Sequence, residues 1–139
     1  KKNMDEGKVL FGESWVYNWV FAYYYIAKQD YKKALKYYVI TNRINPGIKS
    51  IQYQTVYCEA MDGQIDKVNA YLKQLPELPE NYVSRAVIYV GLGDKKQSLF
   101  YLQKGADVGI IPTDFKVSLF YTTLRDEPQY KTVLKKFGL

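Results

Sequence analysis

Residues 15–46, WVYNWVFAYYYIAKQDYKKALKYYVITNRINP, decide how the chain folds. Apolar side chains in the first half fall at Val16, Trp19, Tyr23 and Ile26, and again at Phe21, Ala22 and Tyr25. Steps of three or four place each set along one face of an α-helix. After a turn at Gln29-Asp30, the second half puts Ala34, Leu35, Tyr38 and Val39 in one stripe and keeps Lys32, Lys33, Lys36 and Arg43 outside it. That is the signature of an amphipathic helix. Asn45-Pro46 ends the pair, because proline lacks an amide hydrogen and restrains the residue before it. The stretch predicts a helical hairpin.

The unit recurs. Asp30-Tyr31-Lys32-Lys33-Ala34 has counterparts in Gln64-Ile65-Asp66-Lys67-Val68 and Asp94-Lys95-Lys96-Gln97-Ser98, so the small residue after each turn stands at Ala34, Val68 and Ser98, spaced by 34 and 30 residues. Upstream, Ala22 and Tyr25 correspond to Val56 and Glu59, then to Ala86 and Tyr89; downstream, Tyr38 corresponds to Leu72 and Leu102. Gly63 is placed to end the first helix of the second unit in a left-handed conformation.

A period near 34 with small, large and aromatic positions in this order resembles the tetratricopeptide repeat. The family's core pattern lands on Phe21, Ala22, Tyr25, Ala34, Tyr38 and Pro46, and in the third unit on Ala86, Tyr89, Ser98 and Leu102. The resemblance implies an all-α fold: a right-handed α–α superhelix, or solenoid, of about three helical hairpins (residues 15–48, 49–78 and 79–111) with C-terminal capping helices at 112–139. Residues 1–12 would be a linker or N-terminal arm, and 13–139 the repeat domain. The closing LRDEPQYKTVLKKFGL looks like the end of repeat domains at the C-terminus of bacterial regulatory and signalling proteins. Departures from the pattern are Asn18 at a large apolar position, Thr41 at an alanine position, and Val56 and Glu59 in the second unit, whose second helix also stops early at residues 75–79. Glu59 is read as a carboxylate that reaches water because the second unit packs loosely.

The ending predicts two further elements. Thr113 or Asp114 caps a helix carrying Phe115, Leu119 and Phe120; Asp126-Glu127-Pro128 opens the last helix, with Tyr130, Val133, Leu134 and Phe137 inward.

Composition restricts the chemistry. The chain has no histidine, which removes Ser-His-Asp and Cys-His nucleophilic arrangements and His-ligated metal sites. Its single Cys58 rules out an internal disulfide and reads as a small core residue. Acids are scattered, with Asp30, Asp66 and Asp94 at turns, where they accept from free backbone amides. Gly91-x-Gly93 follows a helix and lacks the third glycine of a nucleotide-binding loop. These features point away from an enzyme and call for no cofactor. The longest apolar block, residues 15–27, falls short of the roughly 20 residues that a membrane span needs. The chain starts at Lys1 without an initiator methionine and is read as a piece of a longer protein. A cytoplasmic location is favoured, with the periplasm open if a membrane segment lies upstream.

The binding surface is sought in the excess of aromatics, 15 tyrosines among them. Beside the core stripe runs Val16, Trp19, Tyr23 and Ile26; one unit on it becomes Ser50, Tyr53, Tyr57 and Ala60, and then Glu80, Val83, Val87 and Val90. The resemblance places these positions on the concave wall and makes Val16, Trp19, Tyr23, Tyr53, Tyr57, Val83 and Val87 the candidate partner-binding residues. A protein or peptide is the ligand such a wall suits, since Tyr and Trp give large contact area at small entropic cost. The nearly continuous apolar surface of residues 15–27 also predicts self-association through the first helix, or cover by the 1–12 arm. A net charge of +6 leaves nucleic acid on the lysine-rich convex face as the alternative. It is disfavoured because the lysines lie on the second helices and the aromatics on the first.

Overall fold

The structure, a computed structural model, describes residues 14–110 and 118–139. The 1–12 arm, and the helix start expected at Thr113 or Asp114 with Phe115, lie outside these residues. The described chain is helical, without a strand: α1 (Trp15–Ala27), α2 (Tyr31–Ile44), α3 (Lys49–Met61), α4 (Ile65–Gln74), a 3-10 turn (Pro79–Asn81), α5 (Tyr82–Gly91), α6 (Lys95–Asp107), a second 3-10 segment (Leu119–Leu124) and α7 (Pro128–Lys136). Neighbours in sequence pair as hairpins, α1 with α2, α3 with α4 and α5 with α6.

The turns inside the three hairpins are built alike. Residues Gln29, Gly63 and Gly93 take φ of 58°, 85° and 76°. The amide that follows each one donates back to the first helix: Asp30 to Tyr25 O, Gln64 to Glu59 O and Asp94 to Tyr89 O, all at 2.9 Å. This six-to-one bond is the Schellman ending, which needs a left-handed residue and so favours glycine. Gln29 adopts it without that freedom. Asp30 and Asp94 then cap α2 and α6 by accepting from the amides of Lys33 and Gln97. In the middle hairpin the cap position is Gln64, which makes no such bond. Asp66, expected at the turn, instead sits inside the first turn of α4, where its charge faces the positive helix end.

Equivalent positions share equivalent burial. Ala34, Val68 and Ser98 are fully enclosed, as are Ala22 and Ala86. Ser98 satisfies its hydroxyl by donating to Ala86 O at 2.7 Å. Tyr38, Leu72 and Leu102 fill the gap one turn further on. The stripe of α2 is narrower than its sequence suggests: Val39 is exposed, since no described element packs on that side.

Glu59 differs from its expectation. It is only 8% exposed and is ion-paired with Lys67 of α4. The carboxylate is held across the hairpin rather than released to water. A second acid anchors the proline-bracketed connection after α4: Glu77 accepts from Tyr101 Oη at 2.8 Å and pairs with Arg85 at 3.2 Å and Lys104 at 3.6 Å. Arg85 also donates to the Leu72 and Leu75 carbonyls at the end of α4.

The junctions between hairpins are unlike. The first hands over to the second chiefly through α2 against α3, the second to the third through α3 against α5. At the α3–α5 crossing a Cβ on Gly91 would stand 2.9 Å from Tyr57 O, so only glycine permits that approach. Gly91 therefore has a packing role, and Gly93 alone supplies the turn.

The ending folds back over the third hairpin. α7 packs on α6, with Tyr130 and Val133 buried and Pro128 opening the helix as expected. Ahead of it, Leu119–Leu124 is 3-10 rather than α-helical and is capped by Ser118, whose hydroxyl accepts from the Phe120 amide. It packs on α5 and buries Phe120, Tyr121 and Leu124.

Candidate functional site

Successive units treat the candidate wall differently. Along α1, Val16 is 46% and Val20 50% exposed, and Trp19 and Tyr23 are half-buried between them. At the matching places Tyr53 and Val83 are half-buried, whereas Tyr57 (7% exposed) and Val87 (1%) belong to the core. The side chains that a ligand could reach are thus concentrated on the first helix, and Tyr57 and Val87 support the surface from beneath.

The reason lies in the far end of the chain. Phe120 sits with its ring centroid 4.9 Å from that of Tyr57 and 6.0 Å from that of Tyr23, edge-to-face in both cases. The Leu119 amide donates to Tyr23 Oη at 3.2 Å. One aromatic from the returning segment thereby fills the space between the first and second hairpins. Beside it remains an open pocket of about 270 Å³ bounded by Ile26, Tyr31, Met61, Val90 and Thr123. Tyr57 and Tyr31 meet edge to face there, with ring centroids 6.3 Å apart, and burial pushes the phenols of both above the ordinary range.

A second device joins α1 to α3. Gln54, buried on α3, accepts through one oxygen from both Trp19 Nε1 (2.8 Å) and Tyr38 Oη (2.9 Å). The bond fixes the indole so that its face, Val20, Tyr23 and Gln54 line a shallow pocket of about 190 Å³. Sequence reasoning missed Gln54. Its only signal was a polar residue in the row of α3 that also carries Ile51, Tyr57 and Cys58.

The face around Val20 carries no charge. No residue of α1 is acidic or basic over its 13 positions, and its one strongly polar side chain, Asn18, is buried on the opposite side with its amide donating to Ser14 O. Some of the lysines elsewhere are ion-paired: Lys32 with Asp62, Lys67 with Glu59, Lys95 with Glu127, Lys104 with Glu77 and Lys136 with Asp107. Among the described residues no three His, Cys, Asp or Glu side chains gather to hold a metal ion. Cys58 is fully buried, and burial raises its thiol pKa, so it is held as an unreactive neutral thiol. No described helix is long and apolar enough to cross a membrane.

No family model, curated protein or solved structure matches the chain.

Proposed function

We propose that this chain is a non-catalytic protein-interaction module of the tetratricopeptide type, a right-handed solenoid of three hairpins closed by its C-terminal cap. The partner is a protein or peptide, received on the aromatic face of the first helix. The observation that carries this is the uncharged face of α1, on which Val16 and Val20 stand exposed beside half-buried Trp19 and Tyr23. Soluble chains seldom leave such a contiguous surface without a use for it. Aromatic anchors of this kind cost about 2 kcal/mol or more on truncation when they are central to an interface.

The concave wall contributes less than the family resemblance implies, because Phe120 fills part of it. Tyr53 and Val83 border the remaining surface; Tyr57 and Val87 hold it in place. Nothing on α1 would grip a terminal carboxylate, so a free C-terminus on the partner is not required. The nucleic-acid alternative draws no support from the ion-paired lysines.

The test is capture of partners from the source cell by the wild type, Val20→Glu, and a variant with Lys33, Lys36 and Lys96 changed to Gln. Val20 is exposed, so its substitution leaves the fold intact. Loss of the captured set in Val20→Glu alone supports the proposal. Loss in the lysine variant alone overturns it and moves the site to the basic face.

A further inference from the structure

The turns inside the three hairpins differ at one place. The left-handed residue is glycine in the second and third, at Gly63 and Gly93, but in the first it is Gln29, with φ of 58°. A side chain in that conformation crowds the neighbouring carbonyl, a cost that glycine does not carry. Gln29 is exposed, and its side-chain amide makes no hydrogen bond to another described residue. No contact within the fold therefore offsets the cost of having a side chain there.

What Gln29 does border is the pocket of about 270 Å³ beside Phe120. The other walls come from the end of α1, Tyr31 of α2, Tyr57 and Met61 of α3, Val90 of α5 and the Leu119–Leu124 segment. Walls from so many elements make a pit rather than a groove, which suits a compact molecule and not a peptide backbone passing through. Its volume lies below the ~300–1,000 Å³ of sites for drug-sized ligands, so the occupant is of single-ring size. No lining residue is charged. Lys32 and Asp62, next in sequence to Tyr31 and Met61, neutralise each other at 3.0 Å. An ion placed here would lose its water and gain no counter-charge. Phe120 shows what the wall accepts, since its ring meets that of Tyr57 edge to face at 4.9 Å. Met61, 40% exposed, adds a thioether of the kind that packs against ring edges.

We infer that this pit is a binding site for a small uncharged molecule with one aromatic ring and an amide-like edge. The ring lies among Tyr31, Tyr57 and Met61, and the edge is hydrogen-bonded to the Gln29 side chain. A primary amide both donates and accepts, which matches a glutamine amide group for group. Burial raises the Tyr31 and Tyr57 phenols, so both stay neutral through the physiological range and binding does not change with pH there. The pit shares no residue with the Trp19, Val20, Tyr23 and Gln54 pocket, so the site does not depend on the proposed protein interface.

The experiment titrates the full 139-residue chain with benzamide, benzoate and benzylamine, which share one ring and differ in charge, and follows the isotope-labelled methyl signal of Met61. Benzamide should shift that signal saturably, with a dissociation constant on the millimolar scale open to so few atoms, and should bind at least about fivefold more tightly than either ion. Gln29→Gly should weaken benzamide binding at least about fivefold. The same change should raise the melting temperature by about 2–4 °C, because it relaxes the left-handed turn. A purely structural residue would not give these opposite signs. A Met61 signal that stays still with benzamide up to about 10 mM overturns the inference. Equal affinities for all three probes, the mark of unspecific contact, overturn it too, as does a Gln29→Gly chain that binds benzamide like the wild type. A Gln29→Gly chain that melts lower assigns the side chain to support of the fold and also overturns it.

Discussion

Phe120→Ala asks whether the segment that closes the aromatic wall is part of the core or a loosely held lid. Phe120 is 2% exposed and makes edge-to-face contacts with Tyr23 and Tyr57. Truncating a ring so enclosed removes its transfer free energy and leaves a cavity, together about 3–5 kcal/mol. The two ring pairs lie within that figure, at about 0.5–1.5 kcal/mol each. For a chain of 139 residues the unfolding entropy is about 0.3 kcal/mol/K, so the melting temperature should fall by roughly 10–17 °C. Urea titration followed by far-UV circular dichroism gives the free energy, and the tyrosine signal in the near-UV reports the packing around Tyr23 and Tyr57. Thr123→Ala, at an exposed position of the same segment, is the control and should change stability by less than about 0.5 kcal/mol. A loss below about 1 kcal/mol for Phe120→Ala, with the urea slope unchanged, would refute the claim that this segment is core.

Three further outcomes are expected. Gln54→Leu leaves the donors of Trp19 and Tyr38 without their acceptor and should cost about 1–3 kcal/mol in urea titration; an unchanged midpoint would mean that the shared bond contributes nothing. Glu59→Tyr restores the aromatic that the repeat pattern asks for, yet it removes the ion pair with Lys67 and overfills a closed site, so the melting temperature should fall; a rise would return the second hairpin to the status of a loose copy. The Tyr101 phenol is pushed up to about 12 by burial and by its bond to Glu77, from an ordinary value of 10, so folding favours the neutral form. Its contribution is complete below about pH 10 and is lost as pH rises toward 12; Tyr101→Phe should flatten the fall of the urea midpoint over that range, and an equally steep fall would assign it to other phenols.

The hairpins were legible because their causes are local. Periodicity around Phe21, Ala22 and Tyr25 and the small residues at Ala34, Val68 and Ser98 act within one helix pair, and glycine at 63 and 93 answers a single backbone angle. The candidate surface was legible only in part. The sequence supplied Val16, Trp19 and Tyr23 and the absence of charge on their helix, but it could not tell covered aromatics from uncovered ones. Tyr57 and Val87 have the same helical spacing as Tyr23 and differ in what lies above them. That depended on how closely α3 and α5 cross, on the 3-10 turn that aims Phe120, and on a contact between Leu119 and Tyr23 across 96 positions of the chain. Glu59 and Gln54 follow the same rule. A polar side chain in an apolar row announces a partner, but Lys67, Trp19 and Tyr38 come from other helices, and only the packed chain brings them within reach. Helix faces are fixed by steps of three and four along the chain, whereas burial is fixed by what the rest of the chain lays upon them.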